Sequence, residues 1–137
     1  LRRLARTVSR LYDRHLATTG LKTTQYSLLK SVAFQASPVA ELAARLGTER
    51  TTLTRNLKPL LDAGWVALNP GADTRQRIAT ITRSGRDKIK AARQAWLAAQ
   101  TELERELGTP AVHALHASID IALDRLTQKG HSDDRAD

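Results

Sequence analysis

Residues 37–82 read SPVAELAARLGTERTTLTRNLKPLLDAGWVALNPGADTRQRIATIT, and the order of elements inside this stretch decides the fold. Ser37 suits a helix N-cap, Pro38 the first helical position and Gly47 the C-terminal stop. Between them Val39, Leu42, Ala43 and Leu46 keep the i, i+3, i+4, i+7 spacing of an amphipathic helix. After Gly47, Thr48 is placed to cap a further helix with an apolar stripe of Leu53, Leu57, Leu60 and Leu61. At about 100° per residue, Thr51 and Arg55 point away from that stripe, flanked by Thr52 and Lys58. Pro59 removes the hydrogen bond to the Arg55 carbonyl and predicts a bend there.

Two short helices joined by a Gly-Thr turn, the second with an outward Thr/Arg/Lys face, predict a helix-turn-helix. The stripe would hold the helix to the body while the opposite face enters a DNA major groove. Arginine suits guanine edges, and threonine suits phosphates or a thymine methyl. An ordinary helical hairpin with a solvated polar face has the same local pattern. What separates them comes next in the chain. Gly64 stops the helix, and Trp65–Leu68 and Arg77–Thr82 are β-prone, joined through a Pro70-Gly71 and Asp73 turn. A helix-turn-helix followed at once by a two-stranded ribbon is the winged-helix order, and Arg75 and Arg77 place charge at the wing for a narrow minor groove.

Outward from this stretch the chain is helical. Leu4, Val8, Leu11, Tyr12, His15 and Leu16 form one stripe before Gly20, and Leu28, Leu29, Val32 and Ala33 another from about Thr23. From Arg83, Ile89, Ala92, Trp96, Ala99, Leu103 and Leu107 recur at spacings of three and four up to Gly108. Thr109 and Pro110 then restart a helix carrying Val112, Leu115, Ile119, Ala122, Leu123 and Leu126. These two long helices exceed what the small domain needs for its own core, which predicts a dimerisation hairpin. The fold class is therefore mainly α with a small β-wing, divided into an N-terminal helix at 1–20 that joins the dimerisation region, a winged helix-turn-helix domain at 21–82, dimerisation helices at 83–129 and a frayed tail at 130–137.

Composition narrows the function. The chain has 137 residues, 22 Lys and Arg, 14 Asp and Glu, a formal net charge of +8 and no cysteine. Thiol catalysis, disulfides and cysteine-based zinc sites are excluded. Residues 1–44 and 45–93 are basic, whereas residues 94–137 carry eight acidic and four basic side chains. A basic body with an acidic end suggests a polyanion-binding surface joined to a segment with another task. No Gly-rich phosphate loop, GxSxG elbow, HExxH or paired-carboxylate constellation is present, so no enzyme is expected and no cofactor is implied. No apolar run reaches the roughly 18 residues of a membrane span, the N-terminus lacks a signal-peptide core, and a cytoplasmic location is expected. His113, His116 and Asp120 share a helical face but have no soft ligand beside them, so no metal is expected there.

Several of these stretches resemble the MarR (multiple antibiotic resistance regulator) family. Leu21-Lys22-Thr23-Thr24-Gln25-Tyr26-Ser27-Leu28-Leu29 resembles the opening of its second helix, and Ser37 to Gly64 its helix-turn-helix. Asp73-x-Arg75 followed by Ile81-Thr82-x-x-Gly85 resembles its wing signature. The resemblance implies a homodimeric regulator, commonly a repressor, which binds an inverted repeat in double-stranded DNA and releases it when a small aromatic or phenolic effector binds. It implies major-groove or phosphate contacts from Thr51, Thr52, Thr54, Arg55 and Lys58, a wing Arg75 oriented by Asp73, and Arg77 nearby. Lys22 stands where many members carry a Thr or Ser cap, and Leu68 where a wing arginine is frequent. Tyr12, Arg14, His15, Gln25 and Tyr26 are the candidate effector residues, offering polar-tipped rings and donors from the first two helices. His15 also continues an apolar stripe, as a packed core residue would. The alternative function is an architectural DNA-binding protein without a ligand.

Overall fold

The computed structural model describes residues 1–73 and 75–133, with side chains as far as Gln128. The chain divides into two compact units, residues 1–99 and residues from 100 onward. The first contains α1 (Arg2–Leu16), a 3-10 turn (Ala17–Thr19), α2 (Thr23–Phe34), β1 (Ser37–Pro38), α3 (Val39–Leu46), α4 (Arg50–Asp62), β2 (Val66–Pro70), β3 (Arg77–Ile81) and most of α5 (Arg83–Leu107). The second holds the end of α5 and α6 (Thr109–Asp133). The unit boundary thus falls inside α5. The expected frayed tail at 130–137 lies outside the described side chains, and α6 itself runs to Asp133.

The core of the first unit gathers Leu29 and Val32 of α2, Leu42 of α3, Leu53, Leu57 and Leu60 of α4, and Ala79 of β3. The helical members belong to the stripes anticipated from periodicity, buried because each helix has one apolar face and the small sheet closes the gap between them, although Leu46 of the α3 stripe is exposed. Trp65 and Trp96 pack against the edge of this core.

Two boundaries differ from expectation. Ser37 and Pro38 do not begin a helix. They pair with Ala79 and Ile78 as a short antiparallel strand, which makes the sheet three-stranded in the order β1-β3-β2. Pro38 can sit there because a proline at a sheet edge forfeits no ladder bond that the centre needs. Ser37 is buried, donating to the Gln35 carbonyl and accepting from Arg45 at 3.0 Å. Thr48 is not the cap of α4, whose N-cap position is Glu49 with no side-chain cap bond. Gly47, in the left-handed region at φ 64°, closes α3, and its amide and that of Thr48 satisfy the carbonyls of Ala44 and Ala43. As expected, α4 runs on past Pro59 to Asp62, with the proline inside it.

The start of α2 is stabilised from outside. Lys22 occupies the N-cap position without a side-chain cap. The Gln25 side-chain oxygen accepts from the Lys22 amide at 2.9 Å, and Asp13 of α1 accepts from both the amide and the hydroxyl of Thr23, at 2.7 and 2.6 Å. At its other end α2 is closed by Arg45, which donates to the carbonyls of Ser31 and Gln35.

In the second unit, Val112 is buried, whereas Ile119, Ile121, Leu123 and Leu126 are 43–70% exposed. Exposed apolar surface of this extent on one helix is more than scattered surface residues account for.

Candidate nucleic-acid interface

Helix α4 presents the face that its sequence predicts. Leu53, Leu57 and Leu60 are buried, while Thr51, Thr54, Arg55 and Lys58 are exposed and Thr52 is half-buried at the margin. Arg50, Thr51, Thr54, Arg55, Lys58 and Leu61 line an open hollow of about 560 Å³. Arg50 was not among the expected contacts. Its position at the first turn of α4, ahead of Thr51, was the available signal.

Two side chains on this face are already engaged. The Thr54 hydroxyl donates to the Arg50 carbonyl at 2.9 Å, so it offers a methyl group and acceptor lone pairs rather than a free proton. Lys58 forms an ion pair with Asp62 at 3.0 Å, with the two side chains 74% and 66% exposed. A pair this open to water contributes a fraction of a kcal/mol, about 0.3–0.5 for the i, i+4 arrangement, and yields readily to a phosphate.

On the other flank of α4, a hollow of about 170 Å³ is lined by Lys22, Thr24, Gln25 and Leu28 of the α2 region together with Arg55, Asn56 and Pro59. Arg55 therefore borders both hollows, and the start of α2 adjoins the face that the helix-turn-helix offers. Asn56 and Lys22 at this wall were missed as candidate contacts, since Asn56 falls between the outward face and the stripe and reading it requires knowing what packs on that flank.

The wing follows at once. Strands β2 and β3 pair from Val66 with Ile81 to Pro70 with Arg77. At the tip, the Gly71 amide donates to the Gln76 carbonyl, and Asp73 accepts from the Arg75 amide at 3.1 Å. Asp73 thereby shapes the loop through the Arg75 backbone. Arg75 and Arg77 are exposed. The base of the wing is held by Thr82, whose hydroxyl donates to the Gly64 and Trp65 carbonyls and accepts from the Gly85 amide at the start of α5. That bracket gives the Ile81-Thr82-x-x-Gly85 signature its physical content. A Cβ on Gly85 would lie 2.1 Å from the Trp65 carbonyl oxygen, so only glycine fits.

The candidate effector residues do not form a single group. Tyr12 and Tyr26 both pack on Trp96, with ring centroids 4.5 and 4.9 Å away, and Lys30 lies 5.6 Å from the Tyr26 and Trp96 rings. Both tyrosines are buried. Burial raises the Tyr26 hydroxyl above the usual phenol value, with Arg93 pulling weakly the other way. His15 is half-buried one turn from Tyr12, and Arg14 is exposed. Gln25 is elsewhere, on the hollow beside α4 and bonded to the Lys22 amide. Among the described residues no group of three or more His, Asp or Glu side chains is placed to hold a metal ion, and no helix is long and apolar enough to cross a membrane.

A recognition-type helix and an adjoining basic wing in one compact unit point to a DNA-binding family, and comparison with known proteins agrees. A family model described as MarR family matches residues 19–77. The transcriptional regulator MosR of M. tuberculosis, solved in complex with DNA, is 38% identical, with 91% of this chain and 93% of that chain covered and a TM-score of 0.77. This chain belongs to the MarR family. A variant of MarR from E. coli complexed with operator DNA is 25% identical, covers 90% of this chain and 93% of that one, and has a TM-score of 0.79. The uncharacterized HTH-type transcriptional regulator YwoH of Bacillus subtilis is 28% identical over 88 residues, a match that spans 63% of this chain and 64% of that protein. The MarR-family chain is thus a winged-helix DNA-binding transcription regulator, and the family and its structural neighbours are regulators rather than enzymes.

Proposed function

We propose that this MarR-family protein is a ligand-responsive repressor that binds an inverted-repeat operator as a homodimer. The observation that carries the DNA half is the outward face of α4, where Thr51, Thr54, Arg55 and Lys58 stand exposed opposite buried Leu53, Leu57 and Leu60, next to a wing that ends in Arg75 and Arg77. On this reading α4 enters the major groove, Thr52 and the exposed residues divide base and phosphate contacts, and the wing with Asp73, Arg75 and Arg77 follows the adjacent minor groove. The homodimer rests on the apolar surface of α6, where Ile119, Leu123 and Leu126 recur at i, i+4, i+7 and are exposed in the single chain. The domain plan follows: residues 21–82 bind DNA, while 1–20 and 83–129 serve dimerisation.

The effector is a small aromatic or phenolic molecule, received near Tyr12, Arg14, His15 and Tyr26. The support is chemical: Tyr26 already stacks on Trp96 and Tyr12 meets it at a tilt, and a flat ring competes for the same contacts. Gln25 takes a lesser part, because its oxygen is committed at the start of α2.

The deciding experiment measures Arg55→Ala on an inverted-repeat site and on random duplex at one salt concentration. If Arg55 is bidentate to guanine, specific affinity falls by roughly 1–3 kcal/mol while random binding changes far less. Equal losses on both would leave only a phosphate contact and favour the architectural alternative.

A further inference from the structure

Residues 12 and 13 are neighbours that face different tasks. Tyr12 packs on Trp96, which stacks in turn on Tyr26. Asp13 reaches across from α1 to the first turn of α2, where one carboxylate oxygen accepts from both the Thr23 amide and the Thr23 hydroxyl. The Thr23 hydroxyl also lies 3.4 Å from the Ser9 carbonyl, so the contact spans a full turn of α1.

This bond replaces something the chain lacks. Lys22 sits at the N-cap of α2 and supplies no side-chain cap, so the first amide of the helix has no acceptor of its own in α2. An anionic acceptor at a helix N-terminus also meets the positive end of the helix dipole. The orientation of this turn is therefore set by a residue of the neighbouring helix. The same turn, through Lys22, Thr24 and Gln25, forms one wall of the hollow whose other wall is Arg55, Asn56 and Pro59 of α4. A displacement of α1 at Tyr12 moves Asp13 with it, because adjacent residues of one helix turn cannot shift independently.

We propose that Asp13 is a positioning residue for DNA binding, and that it carries changes at the Tyr12–Trp96–Tyr26 ring cluster to the α2 wall beside Arg55. This rests on the reading of α4 as the DNA-contacting helix. An aromatic effector that inserts at Trp96 then weakens DNA binding by drawing Asp13 off Thr23, without touching α4 itself. The link consists of two hydrogen bonds and one helical step, all within the first compact unit.

The test uses the full chain. Asp13→Ala, confirmed folded by circular dichroism, is expected to lower operator affinity roughly fivefold, within the range of residues that couple sites without touching ligand. Asp13→Asn retains a carbonyl oxygen able to accept both bonds and is expected to bind within about twofold of the parent. Thr23→Val keeps the amide and loses the hydroxyl, and should move affinity in the same direction by less. A second readout is one that a merely stabilising cap would not move. In a Trp65→Phe background the remaining fluorescence reports Trp96, and adding operator should change it in the parent but not with Asp13→Ala. Undiminished affinity of Asp13→Ala, or a Trp96 response to DNA that survives it, overturns the proposal. Arg55→Ala separates the two failures: if it too leaves binding unchanged, the reading of α4 is wrong, and if it alone is impaired, only the link from Asp13 fails.

Discussion

Gly85→Ala sets two physical effects against each other at one atom. Alanine is the better helix former, by at most about 1 kcal/mol over glycine, so propensity alone predicts a more stable protein. The added Cβ, however, would stand 2.1 Å from the Trp65 carbonyl oxygen and 2.6 Å from Cδ1 of Ile81. The oxygen is backbone and cannot swing aside, since it accepts from the amide and the hydroxyl of Thr82, each at 3.0 Å. Restoring an ordinary contact of 3.4 Å requires α5 and the strand to part by about 1.3 Å. That movement stretches the two Thr82 bonds to Trp65 past useful length, a loss of about 1 kcal/mol each, and the overlap with Ile81 adds strain of about 1 kcal/mol. The net expectation is a destabilisation of about 2 kcal/mol. Urea unfolding at fixed protein concentration measures it as a lower midpoint with an unchanged slope. A variant as stable as the parent, or more so, would refute the steric argument and show that the wing base yields without cost.

Three other outcomes are expected. Asp62→Asn releases Lys58 from its ion pair, so affinity for any duplex should rise roughly twofold, and titrations that show no gain would remove Lys58 from the phosphate contacts. Because burial raises the Tyr26 hydroxyl, the folded state holds that proton more tightly than the unfolded chain does; stability from this group is complete below the ordinary phenol value near 10 and is lost as pH climbs through the raised value. Unfolding curves of Tyr26→Phe should accordingly fall less steeply in that alkaline window than those of the parent. Arg75→Ala should weaken binding most on sites with A·T-rich flanks, where a narrow minor groove concentrates negative potential, and equal effects on G·C-rich flanks would reject the wing assignment.

What could be read from residue order, and what could not, divides by the range of the interactions. The outward face of α4 follows from the spacing of Leu53, Leu57 and Leu60, since a 3.6-residue period needs no knowledge of the rest of the chain. Ser37-Pro38 illustrates the limit. The pair suits a helix start and a sheet edge equally, and only the arrival of β3 alongside decides for the strand. Thr48 was a reasonable cap by residue type, but Gly47 turns the chain so that its amide serves the end of α3 instead. Tyr12 and Tyr26 carried no sign that they share Trp96, which lies on a helix some seventy residues further on. The same holds for Asp13, whose partner belongs to another helix and whose importance comes from what Lys22 does not provide.

The two-residue strand β1 has a mechanical consequence. It joins the segment that leads into α3 to the middle of β3, while β2 flanks β3 on its other side. The wing's inner strand is thus clamped along both edges, one clamp belonging to the helix-turn-helix and the other to the wing itself. Bending the wing at its base would break ladder bonds on both sides at once. Helix α4 and the lower wing therefore travel as a rigid tool with a set gauge between its two prongs. Within one chain that gauge leaves little to adjust, so an event that loosens the grip on DNA acts through what surrounds the tool, such as the α2 wall beside Arg55, as a caliper is opened by its arms and not by flexing its jaws.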